Sequence, residues 1–136
     1  MNDRVHDKIN EIEEYLEELY SIVPSKFEVY RRDFKSKAAC ERFVEKIIEA
    51  VTDLGFLVIK SKCFDMPESD LHIFEILLQK NIISDSLSKK LRNAKSMRNI
   101  IAHEYGKVDD EIVFQSITEE LKNDINEFLD VIKKLK

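Results

Sequence analysis

The sequence predicts an all-α protein, an antiparallel helical bundle of about five helices, on three observations. Apolar residues recur at three- and four-residue steps through most of the chain. Only two glycines and two prolines interrupt 136 residues, so the chain has few places to turn and long helices are favoured over many short strands. The connections between periodic segments are short, which sets neighbouring helices antiparallel. A chain of this length is most simply one domain, 1–136, with a core of its own. No internal repeat, low-complexity segment or interdomain linker divides it.

The first helix is expected over about residues 3–22, with Val5, Ile9, Ile12, Leu16 and Leu19 on one stripe, Asp3 as N-cap and Pro24 as the stop. The second opens at "SKFE", where Ser25 and Glu28 form a capping box. Phe27, Tyr30, Phe34, Ala38, Val44, Ile47, Ile48, Val51, Leu54 and Val58 carry it to about residue 61. At 1.5 Å per residue it spans roughly 50 Å, and a kink is expected near "DFKSKA" or a loosening at Gly55. "CFDMPES" breaks the pattern and leads to a third helix over about 69–80, with Leu71, Phe74, Leu77 and Leu78 inward and Asn81 as a left-handed terminator. A fourth helix starts at Ser84, carries Leu87, Leu91, Ala94, Met97 and Ile101, and ends at Gly106. "VDDE" caps the last, about 110–135, with Ile112, Phe114, Ile117, Leu121, Ile125, Phe128, Ile132 and Leu135.

Hydrophobic residues make up 43% and charged residues 36% of the chain, a soluble, globular balance with a heavily charged exterior. The longest strictly apolar run is "FLVI", far short of a membrane span. The N-terminus is charged throughout and has no apolar signal core, so a cytoplasmic protein is expected. Cys40 and Cys63 form no CxxC pair and read as free thiols. The net charge of −5 argues against bulk nucleic-acid binding. It is unevenly spread, however. The first helix is acidic, whereas Arg31, Arg32, Lys35 and Lys37, and then Lys89, Lys90, Arg92, Lys95 and Arg98, are basic stretches. Such stretches are solvated helix faces or local surfaces for a polyanion.

One segment, "RNIIAHEY" (98–105), stands out: Ile100, Ile101 and Ala102 are expected to hold it to the core while Arg98, Asn99, His103, Glu104 and Tyr105 bracket them. Histidine exchanges a proton near neutrality, and the arginine fork matches a phosphate. His6, His72 and His103 are far apart and no HExxH occurs, so no metal site is evident. Arginine, histidine and an amide fit metal-free RNA cleavage, in which a ribose 2′-OH attacks the adjacent phosphate. Asn99 and His103 share a helix face, but Arg98 and His103 lie about 140° apart round a regular helix. Either the helix relaxes, Arg98 reaches round, or a second subunit completes the site. Basic side chains near a helix end are also ordinary, because they interact favourably with the last carbonyls.

The chain resembles the HEPN superfamily and, within it, the HepT-like toxins of toxin–antitoxin pairs. Arg98, Asn99, the spacer Ile100–Ala102, His103, Glu104 and Tyr105 match that branch's R-x4-H-x-Y hallmark in full. "AACERFVEKIIEAVTDLG", "MPESDLHIFEILLQKNIIS" and "LRNAKSMRNIIAHEYGKVDDEIVF" resemble its long second helix, its Pro-initiated segment and its motif helix. The resemblance implies a metal-independent endoribonuclease, without cofactor, acting as a homodimer whose two motifs form one cleft. It implies that Arg98 holds the scissile phosphate, His103 is the acid–base group and Asn99 supports them. The implied partner is a minimal nucleotidyltransferase (MNT) antitoxin, which in some pairs transfers AMP to the motif tyrosine, here Tyr105. Arg92 and Lys95 are candidate RNA contacts leading to the cleft, and the Arg31–Lys37 stretch a weaker candidate surface for the antitoxin. The alternative is a non-catalytic HEPN module, nucleotide-binding or scaffolding, that accompanies a nucleotidyltransferase.

Overall fold

The computed structural model describes residues 2–103 and 108–135. Its helices are α1 (Asp3–Ile22), α2 (Phe27–Arg32), α3 (Phe34–Ser61), α4 (Asp70–Gln79), α5 (Asp85–His103), α6 (Asp110–Ser116) and α7 (Lys122–Lys133), the last two joined by a π-helical turn, Ile117–Leu121. Two neighbouring pairs, α1 with α3 and α4 with α5, run antiparallel. Along α1 and α3, Lys8 meets Asp53 at 3.7 Å while Tyr15 meets Lys46, so one index rises as the other falls. Between α4 and α5, the Ser88 hydroxyl donates to the Phe74 carbonyl and Lys95 pairs with Asp70. Gly106, expected to end the motif helix, lies outside the described residues, as do Glu104 and Tyr105.

The long second helix is two helices. Asp33 is extended at φ −95° and ψ 93°, and its carboxylate accepts from the Lys35 and Ser36 amides and the Ser36 hydroxyl, capping α3. The expected kink is therefore a complete break, placed within the expected stretch. Ser25 and Glu28 do not form a capping box: α2 starts at Phe27 behind Lys26, which makes no side-chain cap. Glu28 turns instead to Arg31, 2.9 Å away. Asn2, not Asp3, caps α1 by accepting from the Val5 amide at 3.0 Å. Asn81 is left-handed at φ 61°, as expected; Cys63, after α3, is as well, at φ 57°.

The apolar stripes of α1, α3 and α7 close one core. Phe74 and Phe128 meet edge to face inside it, with centroids 6.2 Å apart. Five expected core positions are outside: Phe34 is 72%, Ile112 58%, Ile100 48% and Leu71 38% exposed, and Ala38 is on the surface. In α4 the buried pair beside Phe74 and Leu77 is Ile73 and Ile76. The α3 helix runs through Gly55 without loosening, because glycine lets α4 approach: a Cβ there would lie 2.7 Å from Ile73 Cγ2. Gly55→Ala is expected to destabilise by about 1–2 kcal/mol on thermal unfolding, the overpacking outweighing the roughly 1 kcal/mol gained in helix propensity.

Burial pushes the Cys40 thiol up to about 11, whereas Cys63 is exposed. Because the thiolate is the reacting form, iodoacetamide at pH 8 is expected to label native protein at Cys63 only. Peptide mass spectrometry would show Cys40 modified only after unfolding. No helix among the described residues is long and apolar enough to cross a membrane.

Candidate nucleic-acid site on the motif helix

The α5 helix starts with Ser84, whose hydroxyl accepts from the Leu87 amide. Leu87 and Leu91 anchor its first half in the core, with Ala94, Met97 and Ile101 half-buried along the same stripe. The anchoring residues fix the rotation of the helix and thus where its polar side chains point. Ile100 does not help: it is 48% exposed, while Ile101 and Ala102 are half-buried. The segment is held by two of its three apolar residues, and the third faces outward between motif residues.

The structure brings Arg98 and Asn99 together. The Arg98 side chain is only 17% exposed and leans toward α3, where Nη2 donates to Glu49 Oε2 at 2.9 Å. Nη1 donates to Asn99 Oδ1 at 3.3 Å, and Nε is buried without a partner among the described residues. His103 is exposed, and among the described residues no hydrogen bond joins it to Arg98 or Asn99. The helix stays α-helical through His103. Of the three ways to unite arginine and histidine, relaxation of the helix is therefore not used. Tyr105 lies outside the described residues.

The two candidate RNA cations differ. Arg92 is half-buried, with Nε donating to the Ser88 carbonyl at 3.4 Å. Lys95 is 5% exposed and its ammonium sits 3.0 Å from Asp70 of α4. As placed, Lys95 joins α5 to α4 and is not an open cation. Its neighbourhood is acidic. Partial burial and the nearby Glu49, Glu11 and Asp70 raise the Asp53 carboxyl above its ordinary value, against the opposing pull of Lys8.

Glu49 was not legible as part of this cluster, since it meets Arg98 across 49 positions and belongs to no motif. On the other side of α5, a 520 Å³ groove runs between that helix and α6–α7. Met97, Ile100, Ile101, Ile112 and Val113 line it, with Lys90, Glu120 and Asp124 among its polar groups. Among the described residues, no group of three or more His, Cys, Asp or Glu side chains is placed to hold a metal.

A family model described as Ribonuclease HepT-like matches residues 12–132. The chain is 26% identical over 133 residues to the mRNA nuclease HepT of Shewanella oneidensis, covering 98% of each protein. It is 22% identical over 114 residues to the tRNA nuclease HepT of Aphanizomenon flos-aquae, covering 84% of this chain and 78% of that one. Among solved structures it matches the tri-AMPylated HEPN toxin of Shewanella oneidensis in complex with its MNT antitoxin. There the TM-score is 0.92 at 26% identity, over 99% of this chain and 100% of that one.

Proposed function

The chain belongs to the Ribonuclease HepT-like family, and on that premise we propose that it is the toxin of a toxin–antitoxin pair, an endoribonuclease that works without a metal as a homodimer. Two relatives named as RNA nucleases and the toxin–antitoxin complex support this reading. The observation that carries it is the arrangement on α5: a half-buried Arg98 fork bonded to Asn99, with an exposed His103 on the same helix.

In this reaction the ribose 2′-oxygen forms a bond to the adjacent phosphorus and the bond from phosphorus to the 5′-oxygen breaks. One imidazole takes the 2′-OH proton and another protonates the leaving 5′-oxygen. Arg98 stabilises the charge that grows on the non-bridging oxygens. With its Oδ1 turned to Arg98, Asn99 keeps its amide N–H groups for a phosphate oxygen. Two imidazoles call for two chains. Arg98 leans toward α3 while His103 lies about 140° round the helix, so a facing copy supplies what one motif lacks. The exposed Ile100 and Ile112 beside the groove suit that contact. Arg92 extends the cationic track on α5, and Lys95 remains with Asp70.

The partner is an MNT-type nucleotidyltransferase. It neutralises the toxin by AMP transfer to Tyr105: the phenolic oxygen bonds to the α-phosphorus of ATP, pyrophosphate leaves, and the phenolic proton passes to a base. The attached nucleotide adds negative charge and bulk two residues from His103, which excludes RNA.

The test is cleavage of total RNA in EDTA by the purified chain, free of antitoxin and shown by mass to be unmodified. Cleavage is expected with wild type and not with His103→Ala. Intact RNA after incubation with folded, unmodified wild type contradicts the assignment and favours a non-catalytic companion of the nucleotidyltransferase.

A further inference from the structure

We infer that Glu49, on α3, is a positioning residue for Arg98 and sets the orientation in which its guanidinium meets the scissile phosphate. The inference rests on the ribonuclease reading above. A guanidinium offers five N–H donors in one plane. Here the Nε donor is buried. One Nη2 donor goes to Glu49 at 2.9 Å and one Nη1 donor to Asn99 at 3.3 Å. By that count two donors remain, one on each terminal nitrogen, for phosphate oxygens.

Asn99 alone does not fix the plane. It neighbours Arg98 on the same helix, so the two side chains can turn together. Glu49 reaches in from a different helix and pins the plane against the scaffold. Its carboxylate is 54% exposed, so the contact is a weak clamp for the fold, and its loss leaves the folded chain intact. For catalysis, a small rotation of the fork away from the phosphorus matters much more than it does for stability.

A competing role would have Glu49 act as an anion that repels RNA from the site. The two roles have opposite signatures. Positioning acts on the reacting geometry, so Glu49→Ala is expected to lower kcat about tenfold while affinity for a non-cleavable 2′-O-methyl oligoribonucleotide stays within about twofold. Glu49→Gln keeps an acceptor oxygen at the same reach and is expected to restore kcat to within about threefold of wild type. The experiment measures kcat, KM and 2′-O-methyl RNA binding for wild type, Glu49→Ala, Glu49→Gln and His103→Ala, with melting curves for each.

Slow Glu49→Ala with fast Glu49→Gln, at unchanged affinity, supports the inference. Wild-type rates in Glu49→Ala, tighter binding and faster cleavage in both Glu49 variants, or a Gln variant as slow as Ala, overturn it while leaving the ribonuclease reading in place. A wild type that binds the oligoribonucleotide but cleaves no RNA removes that reading and the role of Glu49 with it.

Discussion

His103→Ala is expected to slow RNA cleavage by about 10²–10⁴-fold, the usual contribution of a general acid–base group. Arg98→Ala is expected to cost about 10²–10³-fold, as for removal of a donor to a developing oxyanion. The two losses are not expected to multiply, because in the proposed reaction both groups serve one transition state. His103 is exposed, so its removal leaves the fold unchanged. Arg98 is only 17% exposed and pairs with Glu49 of α3, so its alanine variant is expected to melt slightly lower. Single-turnover cleavage of an end-labelled RNA, with a melting curve for each variant, separates lost chemistry from lost structure. A His103→Ala protein that cleaves at the wild-type rate would show that the histidine is not in the site.

On the proposed homodimer, Ile100→Glu is expected to give monomer and to abolish cleavage without unfolding the chain. Ile100 is 48% exposed and lies beside Asn99 on the motif helix. A charge there is solvated in the monomer, so stability changes by about 0.5 kcal/mol or less. In the dimer the same charge would be buried against the facing copy without a partner, at several kcal/mol. Sedimentation across a concentration series reads the mass, and the same samples assayed for cleavage read the function. A monomeric variant that still cleaves would refute a cleft shared between chains. A variant that stays dimeric would place the contact elsewhere.

How far the sequence led is clearest in particular residues. The stripe of α1 was legible because Val5, Ile9, Ile12, Leu16 and Leu19 repeat without interruption, and all five are buried. The break at Asp33 was legible only as a kink. An Asp three residues before a Ser, inside a continuing apolar pattern, does not announce that the carboxylate will leave the helix and cap the next one. The π-helical turn at Ile117–Leu121 left no mark, since Ile117, Leu121 and Ile125 keep their four-residue spacing. What holds it is tertiary: the Tyr20 hydroxyl from α1 donates to the Ile117 carbonyl, and burial raises that phenol to about 12.

At the site, Arg98, Asn99 and His103 could be named from chemistry and from the family hallmark, but their surroundings could not. Lys95 belongs to a basic stretch, and periodicity alone cannot show that Asp70 of α4 closes over it. Ile100 sits in an apolar run that looks inward, yet Ile101 and Ala102 take the inward positions. Glu49 joins the cluster only because the packing of α3 against α5 sets it opposite Arg98, which nothing local encodes. Residues gathered within one segment could be named from the sequence. Contacts made between segments could not.

The central claim, metal-free attack of a 2′-hydroxyl assisted by the α5 motif, is tested most directly by the ends of the RNA fragments. Antitoxin-free, unmodified wild type is incubated in EDTA with an RNA and with the same RNA carrying 2′-O-methyl groups. Fragments with 2′,3′-cyclic phosphate and 5′-hydroxyl ends, absent from the methylated substrate and from the His103→Ala reaction, are the predicted result. Fragments with 5′-phosphate ends, cleavage of the methylated RNA, or loss of all cleavage in EDTA with its return on adding a divalent cation would contradict it.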